Sequence, residues 1–414
     1  MTEQPVSIVI VSRGRPRALR QCLAAVALLD HPAYEVIVVA CAEGVAAAQA
    51  TGLAAHLKIE PFAEANISAA RNAGIARAAG EIVAFLDDDA VPEPRWLALL
   101  CAPLETTGAA AAGGFVRGRN GISFQWRARS VDACARTAPL RVDPERPTLL
   151  SPPPDRAVKT EGTNMAVRRD VLAGMGGFDP AYRFFLDETD LNLRLARAGL
   201  DTAIVPRAEV HHGYLESPRR GRDRVPRELR EIGASLAVFL RRHAPPEARA
   251  ARMAEFRAEQ RARLLRHMVR GPLGPDDMLR LMRGLEAGLA EGATRALGPL
   301  PPLPHARDGF LPFPGGAGRP PLVLSGSWRA RRKLRRKAVA AARAGHVVSL
   351  FLFSHTTLYH RVRFHPEGIW EQSGGLYGRS DRDGPLFQRW RRADRVTAEG
   401  ARVGPARGLP AAKE

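Results

Sequence analysis

Two short runs of almost unbroken apolar residues, VSIVIV at 6–11 and EVIVVA at 35–40, stand near the start of the chain. Runs of this length, rich in β-branched residues and without polar alternation, read as strands covered on both faces, as in a parallel sheet. Between them RPRALRQCLAAVALL sets Leu19, Cys22, Leu23 and Val26 at helical spacing, with Pro16 in the first helical turn, where its missing N–H is no loss. The pattern then repeats. LKIEPF reads as a strand, ISAARNAGIARAAG as a helix closed by Gly80, and EIVAFL as a strand running directly into Asp87, Asp88 and Asp89. Strand and helix alternate, so the expected class is α/β. Ligands of such sheets collect at the carboxyl ends of strands, and the three aspartates stand at one of those ends.

The pattern changes near residue 217. A stretch rich in arginine and alanine with helical period predicts a helical extension over 217–298, and the proline- and glycine-rich segment 299–321 reads as a linker. Beyond it, over 322–414, the strand PLVLSG, the basic helix WRARRKLRRKAVAAARAG and the strand HVVSLFLF predict a small α/β unit ending in an irregular, aromatic-bearing tail. The first domain accordingly spans 1–216.

Charge alters this picture only in part. Of 414 residues, 62 are Lys or Arg and 43 Asp or Glu, a formal net charge of +19, so anionic partners are expected. The excess is mostly arginine and accompanies abundant Ala, Gly and Pro, which is a compositional bias rather than a nucleic-acid footprint; nucleic acid is not the expected partner. Cys22, Cys41, Cys101 and Cys134 form no Cys-x-x-Cys pair, which fits a reducing compartment and no structural zinc. No run reaches the roughly 20 apolar residues of a membrane span and no basic leader precedes the first strand. The expected location is the cytoplasm, with peripheral contact at the inner membrane face through the arginine-rich helices, set against their being solvated faces.

Adjacent carboxylates at a strand end repel one another unless something positive lies between them. Oxygen ligands favour hard ions, Mg²⁺ or Mn²⁺, and a substrate diphosphate then completes the shell. The plainer alternative is that Asp88 and Asp89 serve the positive end of a helix starting near Pro92. A second acidic stretch, GGFDPAYRFFLDETDLNLRLARAGL, crowds Asp187, Glu188, Thr189 and Asp190 at a helix start; Asp187 with Asp190 loosely resembles a capping box, but capping does not account for Glu188. Two separated acidic groups allow one to hold metal and phosphate while the other takes a proton from a hydroxyl.

VSIVIVSRGRP, ISAARNAGIARAAGEIVAFLDDDAVPEPRWL, GTNMAVRRDVLAGMGGFD and LDETDLNLRLARAGL occur in the order found in glycosyltransferase family 2, which the chain resembles over about residues 5–216. The resemblance implies a GT-A fold, Rossmann-like with a mostly parallel sheet, and transfer of a sugar from a nucleotide-sugar donor (UDP-, dTDP- or GDP-sugar) to a glycan or lipid-linked acceptor hydroxyl, with inversion. It places Asp87 and Asp89 on the outer positions of the Asp-x-Asp motif, with Asp89 as first metal ligand, and Asp88 among the nucleotide-sugar-binding residues with Ser12, Arg13, Arg15, Arg71 and Asn72. The family's Glu-Asp pair falls on Asp187 and Glu188. The base is then Glu188, whose extra methylene shifts the carboxylate by about a bond length, with Asp187 in reserve. Thr163, Asn164 and Asp190 are implied to line the acceptor and donor cleft. His211 and His212 follow the strand TAIVP near the place of a third metal ligand, and spacing favours His212. One departure stands out: where many relatives carry Asp-Asp-Gly-Ser after the second strand, this chain reads VVACAEGVAA, with Glu43 the nearest acid. Outside the resemblance, nucleotidyl transfer and a non-catalytic sugar- or polyanion-binding scaffold are the alternatives.

Overall fold

The computed structural model describes residues 4–151 and 155–410. Met1–Glu3, where a leader was sought, lie outside them. The four strands expected near the start form as Val6–Ser12, Tyr34–Ala40, Leu57–Pro61 and Ile82–Asp87, all parallel. They belong to a ten-stranded mixed sheet whose main order is Thr148–Leu150, Thr202–His212, Ala111–Arg117, Met165–Arg168, Ile82–Asp87, Val6–Ser12, Tyr34–Ala40, Leu57–Pro61. Met165–Arg168 runs antiparallel to both neighbours, while Ala111–Arg117 and Thr202–His212 are parallel. The strands obey the period of two: Ile8, Ile10, Val36 and Val38 enter one apolar layer, and Val9, Ile37, Val39 and Phe85 the other. From Val6–Ser12 the chain builds outward to Leu57–Pro61, then returns to add Ile82–Asp87 on the other side. That reversal opens a crevice at the carboxyl ends of the two central strands, with Val11 paired to Asp87.

After a turn at Asp88 and Asp89 the backbone becomes extended again. Ala90–Pro92 pairs antiparallel with Val210–His212, and the next helix starts only at Trp96. Asp88 and Asp89 therefore do not serve a helix beginning near Pro92.

The helical extension comprises Arg230–His243, Pro246–Val269 and Pro275–Thr294. Leu236, Ala237, Leu240, Leu285 and Leu289 share one apolar cluster with Tyr182, Leu186, Leu193 and Ala196, so the extension forms part of the bed on which the acidic helix Asp187–Arg197 lies. Residues 299–320 carry no helix or strand, yet they are strapped across the first domain. Leu303 N donates to Ala173 O at 2.9 Å, Phe313 N to Tyr34 O at 2.8 Å and Gly316 N to Leu29 O at 2.9 Å.

In the last unit Pro321–Ser327, Val347–Ser354 and Ile369–Gly375 are parallel, with Arg361–His365 antiparallel on the far edge. The tail expected to be irregular thus contributes two strands, and also the helix Arg392–Arg407. Gly400, Gly404 and Pro405 hid that helix, because breakers inside a short run obscure its apolar period. The unit is joined to the first domain: Val362 N donates to Asn120 O at 2.8 Å and Arg95 N to Ala406 O at 2.9 Å. Among the described residues no helix is long and apolar enough to cross a membrane.

Helices Arg230–His243 and Pro275–Thr294 touch through glycines, and a Cβ built on Gly288 would lie 1.9 Å from the Arg230 carbonyl oxygen. Gly288→Ala is expected to destabilise the protein by about 1–3 kcal/mol, the usual cost of overpacking. Denaturant unfolding checks this; an unchanged midpoint would show that the two helices do not pack so closely.

Candidate active site

The fourth strand ends at Asp87, and a turn at Asp88 and Asp89 sends the side chain of Asp88 one way and those of Asp87 and Asp89 the other. Asp87 and Asp89 face His212: its Nε2 is 3.8 Å from Asp87 Oδ2 and 3.3 Å from Asp89 Oδ1. The three residues form a group able to hold a metal ion, with donor atoms within 4.8 Å of one another. Asp89 Oδ1 is buried and has no well-aligned hydrogen bond among the described residues. Its Oδ2 accepts from Leu215 N at 2.8 Å and lies 3.1 Å from an Arg15 nitrogen. Burial works to raise the Asp89 pKa, but His212, Arg15 and the Leu215 amide outweigh it and hold the carboxyl well below the usual range. Two carboxylates and an imidazole are a donor set for a divalent cation.

Asp88 points elsewhere. Its carboxylate is fully buried, accepts from Ser12 Oγ at 2.7 Å and meets Arg15 at 2.5 Å. Burial pushes its pKa up to about 7 despite Arg15. Instead of facing a nucleotide, Asp88 fastens the end of the first strand to the aspartate segment. Arg13 is exposed and donates to the Ala63 carbonyl.

Arg71 links the two acidic stretches. Projecting from the helix Ile67–Ile75, it pairs with Asp187, stands 3.5 Å from Asp87 and donates to Gly162 O at 3.1 Å. It is 4% exposed and lies over the rings of Phe178 and Phe85, so it is a buried strut rather than an open pocket wall. A Cβ on Gly162 would sit 2.3 Å from the Arg71 guanidinium, so any side chain there would displace Arg71 from its present place.

Glu188 Oε1 accepts from Lys159 Nζ at 2.7 Å, and Lys159 also lies 3.4 Å from Glu161, which pairs with Arg129. Burial raises both acids of the pair. At Glu188 the Lys159 ammonium and Arg71 overcome it and hold the carboxyl below the usual range, whereas at Asp187 burial, reinforced by repulsion from Glu188, prevails over Arg71 and raises it. Glu188 is the more exposed of the two, with 16% of its side chain accessible against 4% for Asp187. Lys159, Glu161 and Arg129 were missed in the sequence, although Lys159 and Glu161 lie just before Thr163 and Asn164.

Several expected cleft residues face away from it. Asn164 is wholly buried, donating to Phe115 O and Ala208 O and accepting from Trp96 Nε1, which ties three elements of the core. Asn72 clamps the Phe178 backbone through both its amide nitrogen and its oxygen. Asp190 turns toward the helical extension, where it meets His243 at 2.8 Å, and it also pairs with Arg194 of its own helix at 2.8 Å. Thr163 is buried, and its hydroxyl has no hydrogen-bond partner among the described residues.

The two histidines also separate by the pleat. His212 Nδ1 contacts Gln125 Oε1 at 3.2 Å, a contact that leaves Nε2 toward the aspartates. His211 turns to the other side and binds Glu93 at 2.8 Å. It forms a second acidic group with Glu93 and Glu209, but there Arg407 and Arg117 supply the positive charge. His211 therefore lies outside the group around Asp89. At the place of the absent strand-two aspartate, the Cys41 thiol donates to Glu43 at 3.1 Å and accepts from Gly14 N at 3.2 Å.

Comparison with known proteins fits this geometry. The sequence model of the family described as "Glycosyltransferase like family 2" matches residues 4–234. Succinoglycan biosynthesis protein ExoM of Rhizobium meliloti (strain 1021) is 30% identical over 228 residues, 51% of this chain and 68% of that protein. N-acetylglucosaminyl-diphospho-decaprenol L-rhamnosyltransferase of Mycobacterium tuberculosis is 39% identical over 59 residues, 14% of this chain and 19% of that one. Among solved structures, GalNAc-T7 with UDP, GalNAc and Mn²⁺ aligns with a TM-score of 0.43 at 16% identity, over 58% of this chain and 48% of that chain. Staphylococcal TarS aligns with a TM-score of 0.39 at 15% identity, over 62% of this chain and 43% of that chain. The matched segment carries Asp87, Asp89, His212, Arg71, Asp187 and Glu188 and spans more than half the chain, which has an α/β fold, belongs to glycosyltransferase family 2 and is a glycosyltransferase.

Proposed function

We propose that the enzyme moves a sugar from a nucleoside diphosphate sugar to a hydroxyl of a glycan or lipid-linked acceptor in a single inverting displacement. The observation that carries this reading is the double contact of Arg71, which brings Asp87 of the aspartate segment and Asp187 of the acid pair to one buried cation. Asp87, Asp89 and His212 would hold Mg²⁺ or Mn²⁺, which when bound offsets the charge that grows on the departing diphosphate. Arg15 keeps the aspartate segment from repelling itself apart. Glu188 is the base: it is more accessible than Asp187 and steadied by Lys159, while Asp187 is committed to Arg71. The acceptor oxygen bonds to the anomeric carbon on the face opposite the diphosphate, the bond to the diphosphate breaks, and the hydroxyl proton passes to Glu188.

Uridine, thymidine and guanosine donors all fit this reading, since no aspartate follows the second strand. The rhamnosyltransferase relative supports a deoxyhexose donor and a lipid diphosphate acceptor, and the succinoglycan relative supports a role in surface polysaccharide synthesis. Contact with a membrane face draws support from the last unit rather than from the central helices. In those helices Arg252, Arg257 and Arg280 are paired with acids of the same bundle. On the helix Arg331–Arg343 and the residues before it, Arg329, Arg332, Lys333, Arg336, Lys337 and Arg343 are exposed, and no ion pair holds any of them among the described residues. Such a face suits anionic headgroups.

Kinetics across pH with a panel of UDP-, dTDP- and GDP-sugars tests the assignment of the base. Glu188→Gln is expected to lower kcat by about 10²–10⁴-fold. Lys159→Met removes the charge that holds Glu188 down, so burial then dominates and the acid limb of kcat moves to higher pH. Wild-type kcat in the first variant, or an unmoved acid limb in the second, takes the role from Glu188. For the membrane contact, co-sedimentation is expected with vesicles containing phosphatidylglycerol, weakening with salt, and not with neutral phosphatidylcholine vesicles. Equal binding to both would remove the electrostatic reading.

A further inference from the structure

The last unit lies beyond the family match, which ends at residue 234, yet its final helix ends with a buried side chain close behind the metal-binding group. Arg407 has 1% of its side chain exposed, and Glu93 has 3%. The guanidinium takes both carboxylate oxygens of Glu93, Nε to Oε2 at 2.8 Å and an Nη to Oε1 at 2.9 Å, and its other Nη reaches Ser349 Oγ at 3.2 Å. It lies 4.6 Å from the centre of the Trp370 ring, and the His211 ring lies 4.8 Å from the same ring on the catalytic side. Glu93 Oε1 also meets His211 Nε2 at 2.8 Å, so one carboxylate joins the last helix to the strand that carries both histidines.

What Glu93 and His211 flank gives this contact its consequence. Ala90, Val91 and Pro92 pair with His212, His211 and Val210, a ladder of only three residues on one side. At one end of it stand Asp89 and His212. At the other stands Glu93, held by Arg407. The near end is closed by Gly213 N donating to Asp89 O at 2.7 Å and by Leu215 N donating to Asp89 Oδ2 at 2.8 Å. So short a ladder gains little stability from its own pairing, and a buried carboxylate deprived of its cation would pull away from its place to reach water.

We propose that Arg407 is a positioning residue: by clamping Glu93 and, through it, His211, the C-terminal helix sets the spacing between Asp89 and His212. Ion-binding groups commonly depend on such outer partners, whose loss costs about 10–100-fold in metal affinity. The unit outside the family match is then part of the catalytic apparatus rather than an appended module. This rests on the reading of Asp87, Asp89 and His212 as a metal group.

Two readouts on the full chain test it. The first is calorimetric titration with Mn²⁺ alone; the second is hydrogen exchange at the Gly213 and Leu215 amides, which needs no metal. Arg407→Met is expected to weaken Mn²⁺ binding at least about tenfold and to speed exchange at both amides, with Arg407→Lys, which keeps the charge but not the two-pronged bond, falling in between. Arg335→Met, which breaks a pair with Glu371 at 2.6 Å inside the last unit, is expected to leave both readouts at wild-type values. Wild-type affinity and exchange in a folded Arg407→Met protein overturn the proposal, as does an equal loss in Arg335→Met. Should Arg407→Met fail to fold, the Arg407→Lys comparison decides by the same two readouts. If the wild type itself binds no Mn²⁺, the metal reading fails separately, and exchange alone decides whether Arg407 acts as a brace.

Discussion

A guanidinium buried between two carboxylates from distant parts of the chain is the constraint on which the cleft depends. Arg71 lies against Asp187 on one side and Asp87 on the other, over the rings of Phe178 and Phe85. Ions so deeply buried are costly unless charge and hydrogen bonds are both satisfied, and breaking such a pair exposes an uncompensated charge. The surroundings meet those terms: Gly162 leaves room for the guanidinium and offers its carbonyl, and Asn66 caps the helix that carries Arg71 by accepting from Ala69 N. Around this strut Asp87, Asp88, Asp89, Asp187 and Glu188 are shared among Arg15, Arg71 and Lys159, so every acid lies beside a cation.

The parts of the chain beyond the sheet serve the same balance from behind. Phe185 and Leu186, immediately before Asp187, adopt left-handed backbone conformations, φ of 82° and 66°, which cost non-glycine residues about 1–2 kcal/mol each. Ser235 on the helical extension donates to the Phe184 carbonyl at 2.8 Å, Leu186 is buried in the shared core, and His243 holds Asp190. The strained turn that presents Asp187 and Glu188 is thus pinned in part by Ser235 and His243, which lie beyond the family match. The last unit stands in the same relation to the aspartates, through Glu93 and Arg407.

Much of the fold was legible. The four parallel strands and the acids at the end of the fourth follow from β-branched runs and their punctuation, because local pattern and tertiary burial agree there. Side-chain direction was harder to read. Asp88, Asn72, Asn164 and Asp190 were placed in the cleft because they lie within recognisable blocks, yet each faces the interior, and a motif states which residues are near a site rather than which way they turn. For His211 a physical signal was present: alternate residues of a strand face opposite ways, so one of two adjacent histidines had to leave the cleft, whereas Asp88 lies in a turn where no such alternation applies. Lys159 and Arg407 had no such signal. Their importance comes from contacts across 29 and 314 residues of sequence, and the helix bearing Arg407 was masked by its own glycines and proline.

The central claim is that two acidic stretches and one histidine converge on a single ion-binding cleft. Anomalous scattering at the manganese edge from crystals grown with Mn²⁺ and a nucleoside diphosphate would test it most directly. The account predicts one strong peak bound by Asp87, Asp89 and His212, with the diphosphate beside it and Glu188 facing the same cleft. A peak at Glu93, Glu209 and His211, or nucleotide bound with no peak near Asp89, would contradict it.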